Sequence, residues 1–168
     1  MGKSWLILGG ARSGKTRRAL AIAGNFSTPV YIATAEARDA EMRDRIARHR
    51  AERAPEWTTV EAPLDLCGAL RSADAPGRAI LVDCLTLWLS NLMEAGLPPE
   101  DEARKLVQTI AGLSAAIIMV SNETGLGIVP DNALARAFRD EQGRLNQIMA
   151  AACDHVELIV AGLPLAIK

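Results

Sequence analysis

The stretch that decides the fold runs from residue 5 to residue 16 and reads Trp-Leu-Ile-Leu-Gly-Gly-Ala-Arg-Ser-Gly-Lys-Thr. A short apolar run leads directly into the pattern G-x-x-x-x-G-K-S/T, which is typical of a loop that binds nucleotide phosphates. Glycine at the first and sixth positions lets the backbone curl, so that successive N–H groups point toward phosphate oxygens. A helix predicted at residues 17–23 would present its positive N-terminal end to the same anion. These features predict a site for a nucleoside triphosphate.

Each residue of this loop is a candidate contact to the nucleotide. The Lys15 ammonium is predicted to neutralise charge on the β- and γ-phosphates, and the Thr16 hydroxyl is predicted to bind Mg²⁺. The alternative is a glycine turn that joins a strand to a helix by chance, which the strand before it and the helix after it disfavour. The predicted nucleotide-binding residues of the loop are Gly9, Gly10, Ala11, Arg12, Ser13, Gly14, Lys15 and Thr16.

Length and composition indicate a soluble globular protein. The chain has 168 residues, 49% hydrophobic residues and a formal net charge of −1. We expect one nucleotide-binding catalytic domain over residues 1–168, with no nucleic acid or membrane as its partner. No signal peptide is predicted, because the chain enters a strand at once. Cys67, Cys84 and Cys153 lack C-x-x-C spacing, which favours core thiols and a cytoplasmic location.

Short apolar runs alternate with helical patterns along the chain. Continuous apolar runs are typical of strands buried on both faces of a parallel sheet. We therefore predict an α/β fold, a P-loop NTPase of the RecA-like type whose mostly parallel sheet carries helices on both faces. The predicted strands are residues 5–8, 30–33, 79–82, 117–120 and 158–161, with shorter extended segments at 58–61 and 164–167. The predicted helices are residues 17–23, 37–53, 64–72, 85–94, 100–114 and 132–152.

Two further strands end in polar residues that suit a nucleotide site. Asp83 follows an apolar strand, and in phosphate-loop proteins an acid at this place orients Mg²⁺ near the loop hydroxyl, here that of Thr16. Asn122 and Glu123 follow the next strand, at the sheet edge where doubly wound folds bind ligands. These two residues are candidates for substrate or metal contacts, and a capped strand exit is the equally favoured alternative.

The basic segment at residues 37–53 contains one of the two histidines, His49. Helical spacing puts His49 on a semi-apolar stripe, with four arginines nearby that could hold a phosphate and lower the imidazole pKa. A neutral imidazole nitrogen can attack phosphorus and form a covalent phosphoramidate. Because a lone helix histidine is usually structural, spacing alone favours the structural interpretation.

Six segments, taken together, resemble one known family over essentially the whole chain. The most specific are Asn-Glu-x-Gly-x-Gly-Ile-Val-Pro from residue 122 and Arg-Ile-x-x-His from residue 45. The chain is similar to the bifunctional adenosylcobinamide kinase/adenosylcobinamide-phosphate guanylyltransferases of cobalamin biosynthesis. The matching segments are residues 8–16, 31–35, 45–53, 83–86, 121–130 and 138–147.

The resemblance implies two reactions. In the first, ATP or GTP phosphorylates the aminopropanol hydroxyl of adenosylcobinamide. In the second, GTP guanylylates a histidine, which falls on His49, and the guanylyl group passes to adenosylcobinamide phosphate to give adenosylcobinamide-GDP. The catalytic residues implied here are His49 and Lys15, with Mg²⁺ held by Thr16 and Asp83. The resemblance also implies a homo-oligomer, a trimer.

The resemblance also implies nucleotide contacts outside the loop. Arg50 and Arg53 are candidates for gripping the nucleotide, and Glu61 for contacting its ribose or base. The full set of these contacts is Thr34, Ala35, Glu36, Arg50, Arg53, Glu61 and Asp83.

The polar side of the helix at 132–152 carries several charged residues. It could line a site for the large corrinoid, or it could be a solvated surface or a subunit contact. The residues concerned are Arg136, Arg139, Asp140, Arg144 and Asn146.

Two other functions compete with this interpretation. One is a simple small-molecule kinase that uses the same loop without a covalent intermediate. The other is a RecA-like nucleotide-dependent switch protein with no small-molecule product, which the lack of a basic surface disfavours.

Overall fold

The computed structural model describes residues 2–36 and 57–168, and within them seven strands form one sheet. The strands are β1 (Ser4–Gly9), β2 (Val30–Ala33), β3 (Thr58–Glu61), β4 (Ala79–Asp83), β5 (Ala116–Asn122), β6 (His155–Val160) and β7 (Leu163–Ala166). The helices of the described residues are α1 (Lys15–Ala23), α2 (Leu66–Ala73), α3 (Leu85–Glu94), α4 (Pro99–Ala111) and α5 (Ala133–Ala152).

The sheet order is β3-β2-β4-β5-β1-β6-β7, and every neighbouring pair is parallel except β6 with β7. Side chains of β1 alternate between two cores, as the period of two in a strand requires. Leu6 and Leu8 pack in the core that α2, α3, α4 and α5 share, and Ile7 packs in the core on the α1 side. The prediction of a mostly parallel sheet with helices on both faces is confirmed.

Sequence patterns predicted the elements well, and their ends less well. Residues 30–33, 58–61 and 85–94 match at both ends, and the helix after the phosphate loop starts two residues earlier than predicted, at Lys15. Asn132 was predicted as helical but is the N-cap of α5, where its side chain accepts a hydrogen bond from the Ala135 N–H. The helix predicted at residues 37–53 lies outside the described residues.

The strand predicted at 158–161 exists, but β6 covers His155–Val160 and therefore begins three residues earlier and ends one residue earlier than predicted. Its first half is only partly buried and includes the polar residues His155 and Glu157, so a search for continuous apolar runs misses it. Ala161 and Gly162 have positive φ angles of 51° and 82° and form the turn into β7. The edge strand predicted at 164–167 exists one residue earlier and is antiparallel.

The strand order brings distant segments to one edge of the sheet. β5 lies between β1 and β4, so Gly9, Asn122 and Asp83 end three neighbouring parallel strands at the same edge. We call this the carboxyl edge, and ligands of doubly wound folds bind there. No helix of the described residues is long and apolar enough to cross a membrane.

Candidate active site

The loop between β1 and α1 needs glycine at two positions for different reasons. Gly9 has φ 153°, and a Cβ added to it would lie 2.6 Å from Ser13 Oγ and 2.7 Å from the Ile159 carbonyl oxygen. Gly14 has φ 100° and is the N-cap of α1, so the first turn of that helix receives no capping side chain. The exposed N-terminal N–H groups of α1 are thereby left to an anion in the loop.

Lys15 is held inside this loop. The residue is only 7% exposed, and its Nζ donates a hydrogen bond of 2.5 Å to the Gly10 carbonyl oxygen. The ammonium group is therefore fixed within the loop. Its positive charge adds to the partial positive charge at the N-terminus of α1. This arrangement suits the phosphates of a nucleotide.

Thr16 and Asp83 meet, although 67 residues separate them in the chain. The Thr16 hydroxyl donates to Asp83 Oδ2 at 3.0 Å, and the Tyr31 hydroxyl donates to the same oxygen at 3.0 Å. Mg²⁺ prefers oxygen ligands, such as those of hydroxyl and carboxylate groups. A Mg²⁺ ion that is bound to phosphates usually needs only one or two ligands from the protein. The pair therefore fits a magnesium ion, and no group of three or more His, Cys, Asp or Glu among residues 2–36 and 57–168 offers a competing metal site.

The turn between β6 and β7 supports the phosphate loop from behind. The Gly162 N–H donates to the Ser13 carbonyl oxygen at 3.0 Å, and a Cβ on Gly14 would lie 3.4 Å from Gly162 Cα. Arg18 of α1 forms two hydrogen bonds of 2.7 Å with Glu157 of β6. The hydrogen bond from Arg18 lowers the pKa of the Glu157 carboxyl below its usual value. The loop is thus tied to a segment some 150 residues further along the chain.

The segment after β2 is fixed by buried hydrogen bonds. The Thr34 hydroxyl donates to the Cys84 carbonyl oxygen at 2.7 Å and accepts from the Cys84 N–H at 2.8 Å. Asn91 of α3 donates to the Thr34 carbonyl oxygen at 2.8 Å. The Thr34 side chain therefore binds its own protein. The Thr34 N–H also donates to the Asp83 carbonyl oxygen, at 3.3 Å, and the nucleotide contact of this residue stays a prediction.

The other candidates along this part of the edge are more exposed. Ala35 is half-buried and Glu36 is exposed, just beyond the end of β2. Glu61 ends β3, pairs in register with Ala33, and is also exposed. These positions leave the three residues reachable by a nucleotide, and their contacts stay a prediction. His49, Arg50 and Arg53 lie outside the described residues.

The exit of β5 adjoins the phosphate loop. The Glu123 N–H donates to the Gly9 carbonyl oxygen at 3.0 Å, and the Glu123 carboxylate accepts from the Gly125 N–H at 3.0 Å. The Asn122 N–H donates to the Thr86 hydroxyl at 2.8 Å. Both residues thus shape the turn after the strand, and a substrate or metal contact from either of them stays a prediction.

A buried polar network holds α5 against the end of β5. The Ser121 hydroxyl donates to Asn146 Oδ1 at 2.7 Å, and Gln142 Nε2 donates to both Ser121 Oγ and Asn146 Oδ1 at 3.0 Å. Asn146 Nδ2 donates to the Asn122 carbonyl oxygen at 3.0 Å. Because unpaired polar groups are costly in a core, such a network fixes the position of the helix relative to the strand.

The arginines on the polar side of α5 have different surroundings. Arg136 donates to the carbonyl oxygens of Pro130 and Asp131, at 3.0 and 2.7 Å, and Arg144 pairs with Glu141 on the exposed surface. Arg139 differs, since its Nη1 is buried and has no hydrogen-bond partner in the described part of the chain.

The loop from β5 to α5 exposes several large apolar side chains. Ile128 is 96% exposed and Leu126 is 80% exposed, and Val129 and Leu134 are also exposed. We call these four residues the apolar loop. An exposed cluster of this kind is typical of a surface that binds a partner or a ligand.

Several residues that build the edge were not predicted. Tyr31, Thr86 and Asn91 hold the site from neighbouring elements, and Gly162 supports the loop. Asn91 left a signal, because it is a polar residue inside the apolar run of α3. His155 stacks on the Trp5 ring, with centroids 5.1 Å apart, and lies at the opposite end of β6 from the loop-supporting turn.

A phosphate loop after β1 and a carboxylate at the end of β4, with the parallel strand β5 between these two strands, define a P-loop nucleotide-binding enzyme of the RecA-like class. The sequence matches the family model of cobinamide kinase / cobinamide phosphate guanyltransferase over residues 5–167. The chain belongs to this family and is an enzyme of it.

Curated relatives agree with the family match along nearly the whole chain. The bifunctional adenosylcobalamin biosynthesis protein CobP of Pseudomonas aeruginosa is 51% identical over 97% of this chain and 96% of its own length. The bifunctional adenosylcobalamin biosynthesis proteins CobU of Salmonella typhimurium and Escherichia coli are 40% and 38% identical, each over 97% of this chain and 98% of their own length.

Solved structures of low sequence identity share the fold. A protein of Pyrococcus horikoshii OT3 has a TM-score of 0.59 at 9% identity, covering 99% of this chain and 86% of that one. A prototypical ATPase from the type III secretion system of pathogenic bacteria has a TM-score of 0.53 at 11% identity, covering 99% of this chain and 57% of that one.

Proposed function

We propose that this enzyme catalyses two successive reactions on a corrinoid. A nucleoside triphosphate, ATP or GTP, first phosphorylates the hydroxyl of adenosylcobinamide. GTP then transfers GMP through a guanylyl-histidine at His49 to adenosylcobinamide phosphate, giving adenosylcobinamide-GDP and pyrophosphate. The nucleotide half of this proposal rests chiefly on one observation, the meeting of Lys15, Thr16 and Asp83 at the phosphate loop.

In the kinase reaction the protein mainly positions groups and stabilises charge. The loop N–H groups and the Lys15 ammonium would bind the triphosphate, where they offset negative charge that builds up on the bridging oxygen as it leaves. A Mg²⁺ ion held by Thr16 and Asp83 would neutralise phosphate charge when bound. Tyr31 keeps Asp83 oriented through its hydrogen bond.

The transferase reaction needs a nucleophile in addition. A neutral nitrogen of His49 would form a bond to the α-phosphorus of GTP as the bond from that phosphorus to pyrophosphate breaks. An oxygen of the acceptor phosphate would then bond to the same phosphorus while the P–N bond breaks, and the electron pair returns to the imidazole. The leaving pyrophosphate is held by the same loop that binds the triphosphate. Arg50 and Arg53 would grip the nucleotide, with Glu61 and residues 34–36 near its ribose or base.

The corrinoid and the subunit arrangement complete the proposal. A corrinoid is too large for a pocket in so small a domain, and a groove between subunits of a homo-oligomer, a trimer by family resemblance, would accommodate it. The exposed apolar loop supports a further partner at this end of the molecule. We expect the enzyme to act in the cytoplasm, where nucleoside triphosphates are available, without nucleic acid or a membrane as partner.

The deciding experiment incubates the protein with Mg²⁺ and GTP radiolabelled at the α-phosphorus. The wild type should acquire an acid-labile, alkali-stable label, as expected of a phosphoramidate, and His49→Ala should acquire none. His155→Gln is the matched control, since it removes the other of the two histidines and should keep the label. His49→Ala should still phosphorylate adenosylcobinamide, because the kinase reaction uses no covalent intermediate.

Two outcomes would overturn parts of this proposal. An unlabelled wild type that still binds GTP would reduce the function to a P-loop kinase without a covalent intermediate. A protein that hydrolyses nucleotide but converts no corrinoid would instead favour a RecA-like switch.

A further inference from the structure

Among the described residues, Ser13 Oγ of the phosphate loop is buried without a hydrogen-bond partner. Three further buried polar atoms without a partner in the described part of the chain lie on the α5 side of the carboxyl edge. They are Arg139 Nη1, Gln142 Oε1 and Thr124 Oγ1. Gln142 is fully buried, and all three belong to α5 or to the loop that precedes it. Because an unsatisfied buried polar group costs free energy, each such group in a native protein calls for an explanation, and a ligand that supplies the missing partner is one.

The position of Arg139 follows from the network below it. Arg139, Gln142 and Asn146 are spaced i, i+3 and i+7, so they lie on one stripe of α5. Gln142 and Asn146 contact the last two residues of β5. Arg139 lies one turn nearer the start of the helix, about 4.5 Å along its axis from Gln142. This places Arg139 beyond the end of β5, over the carboxyl edge, and Thr124 is two residues past the same strand end.

Arg139 approaches the edge from the face opposite to the nucleotide loop. The helix α1 that follows the phosphate loop packs on one face of the sheet, and α5 packs on the other. The triphosphate would already be served by the loop N–H groups, Lys15 and the α1 terminus. A second cation on the other side of β5 therefore suits a second anion.

We propose that Arg139, assisted by the Thr124 hydroxyl, binds the phosphate of the phosphorylated corrinoid that accepts the guanylyl group. This inference rests on the function proposed above. A guanidinium fork can donate two parallel hydrogen bonds to a phosphate. Bound in this way, the acceptor phosphate loses part of its negative charge. One of its oxygens can then approach the guanylyl phosphorus, forming the new P–O bond as the P–N bond to His49 breaks.

The test compares the two reactions in Arg139→Gln and Arg139→Lys, with Arg104→Gln, which alters an exposed arginine of α4, as the matched control. Loss of a charged hydrogen bond to phosphate should raise the KM for adenosylcobinamide phosphate about 10- to 100-fold in Arg139→Gln. The KM for adenosylcobinamide in the kinase reaction, the GTP affinity and the covalent labelling should stay near wild-type values, because none of them involves the acceptor phosphate. Arg139→Lys should restore part of the loss, and Arg104→Gln should behave as wild type.

Direct binding supplies a second readout that a purely structural role would not change. Calorimetry should show that the wild type prefers adenosylcobinamide phosphate over adenosylcobinamide, and that Arg139→Gln loses this preference. An unchanged preference and KM would refute the inference, as would equal losses in GTP binding and in both reactions, which would assign Arg139 to the nucleotide or to folding. If the wild type itself makes neither product, the proposed function fails; if it makes both and Arg139→Gln matches it, only this inference fails.

Discussion

The two sides of β5 differ in how complete they are. On the side of α1, the phosphate loop is bonded to the β6–β7 turn, and Thr16, Tyr31 and Asp83 are joined by hydrogen bonds, although Ser13 Oγ is buried without a hydrogen-bond partner among the described residues. On the side of α5, polar atoms lie buried without partners among the described residues, and the apolar loop is exposed to solvent.

This difference separates two ways of building a binding site. The α1 side is preorganised, so a nucleotide finds its backbone donors and its lysine already in place and little ordering has to accompany binding. The α5 side has groups that gain hydrogen bonds and lose apolar exposure only when something else arrives. The α1 side suits a nucleotide, a substrate that many enzymes share. The α5 side suits a substrate or subunit that distinguishes this family.

The largest expected effect comes from removing the charge on the preorganised side. Lys15→Met should lower kcat of both reactions by about 10²- to 10³-fold, the usual cost of losing one preorganised group that stabilises transition-state charge. Steady-state assays of kinase and transferase activity measure it. Lys3→Met, which alters an exposed lysine away from the loop, is the control. A loss confined to one reaction would show that the loop does not serve both.

A smaller effect is expected from the backbone of the same loop. Gly9→Ala places a Cβ 2.7 Å from the Ile159 carbonyl oxygen, and the φ angle of 153° at this position is rarely adopted by alanine. We therefore expect the free energy of unfolding to fall by about 1–3 kcal/mol. Gly10→Ala is the matched control, because a Cβ there meets nothing within 4 Å. Urea unfolding of the two variants measures the difference, and equal stabilities would mean that the loop is less tightly held than its contacts indicate.

The smallest effect concerns the tie between α1 and β6. Glu157→Gln should cost about 1 kcal/mol of stability near neutral pH, since the charged pair with Arg18 is partly exposed. Arg18 lowers the pKa of Glu157 in the folded protein, so the carboxylate stabilises the fold above the unfolded pKa of about 4.3, and this contribution disappears as the pH falls through the lowered folded pKa.

Unfolding curves of the wild type and Glu157→Gln at several pH values measure this. Their stability difference should be constant from about pH 6 to 8 and should shrink at acid pH below about 4. Glu100→Gln, which alters an exposed helical pair with Arg104, should change stability by less. A difference that persists at low pH would assign the role of Glu157 to packing rather than charge.

The sequence was informative wherever local spacing carries the chemistry. Positions 9–16 follow one another in the chain, so their pattern predicted the loop, and the apolar strand before Asp83 predicted that this carboxylate would lie near Thr16. The support from Gly162 and Tyr31 could not be predicted, because it depends on which strands become neighbours. Helical periodicity likewise placed Arg136, Arg139 and Arg144 on one helix. It could not predict which of these side chains form hydrogen bonds or ion pairs within the protein.

The position of β1 in the sheet has a consequence for synthesis of the protein. β1 leaves the ribosome before the other six strands of this sheet, yet its two neighbours in the sheet are β5, which begins at Ala116, and β6, which begins at His155. A nascent chain shorter than this carries the complete nucleotide-binding motif without the strands that hold it in shape. Long-range strand pairing must wait until both partner strands have been synthesised. The last fifth of the chain, which contains β6, therefore determines when the phosphate loop in the first tenth can bind a nucleotide.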